Sequence, residues 1–479
     1  MVSPAGPPDP SLPGRKAAGG PIAGGPIAGG PIAGGWVAGG WVAGSGADAP
    51  AGAASDGGGR RTWFLVDLDA FFVSVEQRRD AALKGRCVAV GGAPGTRGVV
   101  CSASYEARRF GVTSAMPSSR AASLCPGLVF VPPDFPAYEA ASAEVFEVFR
   151  AFAPRVEPVS LDEAYLEVTG CERVHARKGV PRPWLDVAGD LRAAVLDRTA
   201  LSVSVGVGGT RTVAKVAAGL AKPAGILEVP AGAEAAFLAG LAVEALPGVG
   251  ETTRAALARL GIVRIGDLAR APDDVLEHAL GRHGMRLARH ARGEPDGADD
   301  DAAPATRSIS RETSFERDVA DLDRLAGVLS DLAQHACRAL RAAGLLARSV
   351  GVKLRDAAFC TTEARRRLPE PTDRDRDVLV AADALLRRRH DGRTPIRLVG
   401  VVLHGLVPAS ARTPGLFDEL ETGSGGPAAG RLDAALDALR ARHGFGAVVR
   451  GRAIEGGLAS GPRAPRPPSR DARPERPGP

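Results

Sequence analysis

The sequence predicts an α+β chain of several domains, and three observations carry that prediction. Between residues 62 and 207, short apolar runs and amphipathic helices follow the order strand, helix, strand, strand, helix, strand, once a small mixed insert from Cys87 to Pro133 is set aside. That order is the ferredoxin-like split βαβ pattern. Leu246–Arg292 is helical and punctuated by glycine, and residues 305–408 again mix strands with helices. With 479 residues, 44% of them hydrophobic and 24% charged, the composition is globular and leaves room for two to four domains.

The first strand is T-W-F-L-V-D (62–67), an apolar run ending in a carboxylate, as buried strands often read. A helix is expected over 71–84. Tyr138, Ala141, Val145, Val148 and Phe152 recur at helical spacing, so Tyr138–Phe152 is a helix with one apolar face. Val156–Ser160 and Ala164–Val168 pair as strands around Leu161-Asp162-Glu163. Leu185–Thr199 is helical, with Ala188, Leu191 and Val195 on one side, and L-S-V-S-V-G-V (201–207) alternates as a half-buried strand. Further on, Ser349–Leu354 and Ile396–Leu403 are strands, and Asp321–Ala343 and Val378–Arg389 are helices. Arg431–His443 is a last amphipathic helix.

The ends read differently. Residues 1–60 are mostly Gly, Ala and Pro, and Gly19–Ala43 is five pentapeptides, G-G-P-I-A three times and G-G-W-V-A twice. A five-residue period is too short for a solenoid unit, and such a segment buries too little apolar surface to offset chain entropy. A disordered extension is expected, with a partner-binding role for Trp36 and Trp41 left open. The Pro- and Arg-rich Gly461–Pro479 reads the same way.

Several classes are excluded or disfavoured. No apolar run approaches the ~18 residues of a membrane span, and the N-terminus lacks the order of a secretory signal. The six Cys form no C-x-x-C pair, so reduced thiols in a cytoplasmic protein are expected, without a disulfide framework or zinc finger. Asn is absent, which excludes N-glycosylation sequons. A net charge of +6 admits nucleic acid or another anionic partner. Only six of the 61 Lys and Arg are Lys, and two of those, Lys215 and Lys222, lie seven residues apart. A compact point charge is a distinct choice in such a chain.

Asp67 ends a central strand, and Asp162 and Glu163 sit at the tip of the neighbouring hairpin. In a ferredoxin-like sheet these strands lie side by side, so the three carboxylates can meet at one sheet edge. Three carboxylates that close repel, and a divalent cation with hard oxygen ligands resolves the conflict. A solvated turn is the competing reading of the same residues. Asp69 falls where the chain is turning, and a structural role is expected for it. In the insert, Ser102, Tyr105 and Arg108 gather hydroxyls and a guanidinium on one helical face, which suits a triphosphate or an exposed helix face. Lys222, in L-A-K-P-A-G, ends the helix after the last strand and can face a phosphate as a point charge; Lys215 does the same or is solvated. A-L-P-G-V-G-E-T-T-R-A-A-L-A-R-L-G-I (245–262) has the form of a helix-hairpin-helix, in which Gly248 and Gly250 permit a turn whose amides bind a DNA phosphate. A plain αα-hairpin is the alternative.

Together these segments resemble a Y-family (translesion) DNA polymerase of the DNA polymerase IV, or DinB, type. The likeness runs from about Thr62 to Val407. It rests on V-D-L-D-A-F-F-V-S-V-E-Q (66–77), S-A-S-Y-E-A-R-R-F-G-V-T-S-A-M-P (102–117), V-E-P-V-S-L-D-E-A-Y-L-E-V-T-G (156–170), S-V-G-V-G-G-T-R-T-V-A-K-V-A (204–217) and L-A-K-P-A-G (220–225), with L-P-G-V-G and L-P-E-P-T-D (368–373) in support. The resemblance implies a right-hand polymerase: a ferredoxin-like palm over 61–78 and 139–229, small fingers over 79–138, a helix-hairpin-helix thumb over 230–295, a linker at 296–304, an α+β little finger over 305–408 and a tail over 409–479. It implies two Mg²⁺ held by Asp67, Asp162 and Glu163, with the Leu68 carbonyl on one ion. It places Ser102, Tyr105, Arg108 and Lys222 on the incoming triphosphate and Phe71 and Phe72 in the nucleotide site. Phe72 corresponds to the family's steric gate, whose ring clashes with a ribose 2′-OH; a clash rejects more sharply than a lost contact.

The resemblance implies low-fidelity, template-directed DNA synthesis in repair, with primer–template DNA and dNTPs as partners, no proofreading exonuclease and a monomeric chain. Gly248, Gly250, the stretch Ser308–Ser314, and Arg365, Arg366 and Arg367 are the expected DNA contacts, a solvated face being the alternative for the arginines. R-T-P-G-L-F (412–417) sits where the family often carries a Gln-led sliding-clamp peptide, so a clamp is expected at Thr413–Phe417 although the Gln is missing. Cys171–Trp184 is a long basic loop without a counterpart role. Two rival functions are a catalytically silent scaffold of a mutagenesis complex, which would have lost the acidic residues, and a nucleotide cyclase, which needs no thumb.

Overall fold

The computed structural model describes residues 61–177, 179–295, 297, 306–411, 427–448 and 451. The N-terminal repeat, most of the 296–304 linker, Thr413–Phe417 and the 461–479 tail lie outside the described residues.

The first sheet is built around β1 (Trp63–Leu68), whose side chains are almost all buried. The helix α1 (Phe71–Arg79) follows β1 directly. It is shorter than 71–84 because Asp80 is extended and its side chain caps a separate 3₁₀ turn at Ala81–Leu83. A small three-stranded sheet comes next, with β2 (Val88–Gly91) between β3 (Val100–Ala103) and β4 (Val129–Val131). It carries the short helices α2 (Tyr105–Arg108) and α3 (Ser118–Leu124). The chain then returns through α4 (Phe135–Phe152), β5 (Arg155–Pro158), β6 (Glu163–Glu167), α5 (Trp184–Thr199), β7 (Val203–Gly208) and α6 (Arg211–Ala221).

Strand order in the first sheet is β5-β6-β1-β7-β8. The fifth strand, β8 (Ile226–Glu228), was not expected; it pairs parallel to β7 and is only three residues long. Phe64, Val66, Leu68, Leu166, Val203 and Val205 face α4 and α5 in one core, while Trp63, Leu65, Ala214 and Ala218 form a smaller cluster against α6. Gly206 is what lets α6 lie so close. A Cβ there would stand 2.0 Å from the Ala214 carbonyl.

The other face of α6 contributes Val213, Val216 and Ala217 to a second core, shared with a helical unit. That unit comprises α7 (Glu234–Ala239), α8 (Glu251–Arg259), α9 (Ile265–Arg270), α10 (Asp273–Leu280) and α11 (Arg282–Ala291). The last unit is a sheet of order β11-β10-β12-β9. Its strands are β9 (Ser308–Val319), β10 (Leu345–Asp356), β11 (Thr361–Thr372) and β12 (Ile396–Pro408), with helices α12 (Leu322–Ala342) and α13 (Asp375–Arg389) on one face. The terminal α14 (Pro427–His443) docks on that helical layer. Arg341 Nε reaches Asp437 at 2.7 Å, and Arg440 Nη2 reaches Gln334 at 2.5 Å.

Candidate active site

Asp67, the last but one residue of β1, is the register partner of Glu163 on β6 and of Ser204 on β7. Just beyond it, Leu68 N–H donates to the Asp162 carbonyl at 2.8 Å, so the β5–β6 hairpin is pinned beside the end of β1. Asp162 is held in turn by Ser160, whose Oγ donates to Oδ1 at 2.5 Å. Asp67, Leu68, Asp162 and Glu163 line one cavity of about 230 Å³ together with Ala70, Phe71, Phe72, Cys101, Ser102, Arg108, Ser114 and Lys222. Residues separated by more than 150 positions therefore meet at one sheet edge.

Burial pushes the Asp67 carboxyl up to about 6; Lys222 opposes the rise, and Asp162 and Glu163 add to it. Lys222 Nζ donates to Asp67 Oδ1 at 2.5 Å, and Lys215 Nζ donates to Glu163. Among the described residues, no three His, Cys, Asp or Glu side chains are drawn together into a ready-made metal cluster. The donor set nonetheless fits a hard divalent cation. It offers three carboxylates and a backbone carbonyl, all oxygen, and two of the carboxylates already hold an ammonium group each.

On the facing side, Ser102 is nearly buried on β3 and Arg108 ends α2, its guanidinium 4.7 Å from the centre of the Tyr105 ring and its Nε donating to the Ala103 carbonyl at 3.0 Å. Tyr105 itself does not line the cavity. Its hydroxyl donates to Asp69 Oδ1 at 3.1 Å. Phe72 is half-buried at the start of α1 and stacks on Tyr138 with ring centroids 4.3 Å apart; the Tyr138 hydroxyl is anchored on Glu76 at 2.8 Å.

Sequence reasoning missed Ser160, Tyr138, Cys101, Ser114, Ser202 and Ser204 around this cavity. In L-S-V-S-V-G-V the polar positions alternate as if solvated, but Ser204 is fully buried and its hydroxyl donates to Asp69.

None of the expected DNA contacts lines this cavity. Gly248 has φ 94°, a left-handed conformation suited to glycine, and Gly250 caps α8. Across the last sheet, Ser308, His404, Ser349 and Arg367 share a row, and Gly351 pairs with Arg365 in the next row on the same face. Arg366 pairs with buried Val350 and so faces the opposite side from Arg365 and Arg367. The three consecutive arginines therefore do not share one face of the sheet. No helix among the described residues is long and apolar enough to cross a membrane.

Residues 66–219 match the impB/mucB/samB family and residues 306–416 match its C-terminal domain. The chain is 38% identical over 388 residues to a DNA polymerase IV of Dehalococcoides mccartyi strain CBDB1, covering 81% of this chain and 96% of the relative. It is 42% identical over 348 residues to a DNA polymerase IV of Methanoculleus marisnigri, covering 72% and 94%. Among solved structures, a Y-family DNA polymerase chimera of Dbh and Dpo4 superposes with a TM-score of 0.62 at 24% identity, over 72% of this chain and 99% of the other. That likeness establishes the fold.

Proposed function

This chain belongs to the impB/mucB/samB family of DNA polymerases, and from that premise we infer a template-directed DNA polymerase of translesion type, active in DNA repair. The observation that carries the reading is the single cavity in which three carboxylates, an aromatic ring, a serine, an arginine and a lysine meet. Such a set fits a nucleoside triphosphate with its reacting phosphate over the acidic edge.

In this reading the first sheet with α4–α6 is the palm, the small sheet the fingers, the helices from α7 to α11 the thumb, and the last sheet the little finger. The family depends on divalent metal. Asp67, Asp162, Glu163 and the Leu68 carbonyl would hold two Mg²⁺. When bound, these ions make the primer hydroxyl a better nucleophile and neutralise charge on the leaving pyrophosphate. Arg108 and Ser102 grip the triphosphate from the fingers side. Lys222, already beside Asp67, supplies a point charge to it. Phe72, backed by the Tyr138 ring, closes the floor under the sugar, where a 2′-OH would collide. Positioning and electrostatics then carry the rate. The thumb glycines, Ser308, Arg365 and Arg367 hold the duplex backbone without reading its sequence.

Primer extension with and without Mg²⁺, on damaged and undamaged templates, tests the reading. Metal-dependent, template-directed addition of dNTPs is the expected result. DNA binding without extension would favour a silent scaffold, and cyclic nucleotide formation a cyclase.

A further inference from the structure

Asp69 lies two residues beyond Asp67, yet it is absent from the cavity lining and only 2% exposed. Its carboxylate is fully engaged. Oδ1 accepts from Tyr105 Oη at 3.1 Å and Ser204 Oγ at 2.9 Å; Oδ2 accepts from Ser202 Oγ and from the Ala224 backbone N–H, both at 2.9 Å. A carboxylate has about four lone-pair sites, so none is left over for an ion. Its backbone is engaged too: the N–H donates to Ser202 O at 3.0 Å, and the carbonyl accepts from Ser74 Oγ at 2.6 Å.

Three of these donors, Tyr105, Ala224 and Ser74, belong to segments that carry a cavity residue. Tyr105 opens the helix that ends in Arg108, whose guanidinium packs over the Tyr105 ring. Ala224 is two residues past Lys222. Ser74 lies in α1, two residues past Phe72. The serines join these to β7, next to β1. One buried anion thus ties the triphosphate-gripping elements to the strand that bears Asp67.

We propose that Asp69 is a positioning residue that sets the triphosphate seat, Arg108 on one side and Lys222 on the other, at a fixed place relative to Asp67. The Tyr105 hydroxyl acts as the strut of that link. The inference rests on the polymerase reading above and adds a residue-level requirement for dNTP affinity.

Asp69→Asn tests it. The amide keeps the shape but has a single acceptor oxygen. The Ala224 N–H cannot turn round to accept, so the oxygen stays with it and the NH₂ faces Tyr105 and Ser204. Steady-state extension should show the KM for dNTP rising about tenfold while kcat falls less than about threefold, with Tm within a few degrees of wild type. Tyr105→Phe, which removes only the strut, should raise the same KM about threefold. The Tyr105 and Ser204 hydroxyls can turn to accept from the amide, but neutral bonds replace charge-assisted ones, so both variants weaken the same link and the double variant should be no worse than the worse of the two singles. A lowered Tm with unchanged KM in the folded fraction would show a merely structural residue and overturn the inference. If Asp69→Asn does not fold, an unchanged KM in Tyr105→Phe overturns it equally. A wild-type chain that fails to extend a primer removes the polymerase reading and this inference with it. A wild type that extends, beside variants with normal KM, removes this inference alone.

Discussion

Asp67 and Glu163 face each other directly across the β1–β6 ladder, and each is met by its own lysine, Lys222 on the first and Lys215 on the second. Two carboxylates opposed in a ladder destabilise a sheet by themselves. Here the register is tolerated because cations compensate it, and the same arrangement concentrates negative charge at the sheet edge.

Asp162 stands beside this pair, held by Ser160, and packs nothing hydrophobic into a core. Asp162→Ala should therefore leave the fold and DNA affinity intact while lowering primer extension by at least about 10²–10³-fold, the scale on which a lost electrostatic contact to the transition state is felt. Extension rates and DNA binding by fluorescence anisotropy check both halves. Normal synthesis by this variant would end the assignment of the site.

Phe72 owes its position to the Tyr138 ring stacked at 4.3 Å, which is itself tied to Glu76. Phe72→Ala should open the cavity floor and raise ribonucleotide incorporation relative to dNTP by about 10²-fold or more, because a steric veto is removed rather than a contact weakened. Tyr138→Phe keeps the stack and loses only the hydroxyl, so sugar selectivity should stay close to wild type. Equal selectivity of Phe72→Ala and wild type would take Phe72 out of this role.

The legible parts of this fold are those whose signal is local. β1 is a dense apolar run, α4 keeps its helical spacing over Tyr138–Phe152, and the Asp-Glu tip lies between two strand-forming stretches. Of the strands that the sequence did not announce, β8 is only three residues long, and β9 and β11 are the two edges of their sheet. β11 (T-T-E-A-R-R-R-L-P-E-P-T) carries two prolines and three consecutive arginines, tolerable only where one flank is unpaired. Asp69 was illegible for another reason. Its partners Ser202 and Ser204 lie more than 130 positions away, and polar alternation in a strand does not reveal whether it meets water or a buried anion.

The split of Arg365 and Arg367 from Arg366 has a measurable consequence. If the face bearing Ser308, Arg365 and Arg367 meets the duplex, each of those arginines neutralises one phosphate. Arg365→Ala and Arg367→Ala should each reduce the slope of log K against log salt by about 0.9. Arg366→Ala should leave the slope near wild type because its side chain leaves from the opposite face. Three equal effects would mean that the sheet does not present one face to the duplex.

His335 on α12 makes stability depend on pH. Its ring stacks on Phe445 with centroids 3.4 Å apart and lies 3.7 Å from Asp331. Burial, and then Arg311, Arg440 and Arg338, push its pKa from 6.5 down to about 3. The folded chain therefore keeps His335 neutral where the unfolded chain protonates it. Between these two pKa values the unfolded state binds more protons, so stability falls as the pH drops below about 6.5. By pH 5 the loss from this one group is at most about 2 kcal/mol, at about 1.4 kcal/mol per pH unit. His335→Phe retains an aromatic ring against Phe445 and cannot be protonated, so its urea midpoint should fall less between pH 7 and pH 5 than that of the wild type. Parallel losses in the two proteins would show that the ring titrates alike in the folded and unfolded chain, and that burial among the arginines does not keep it neutral.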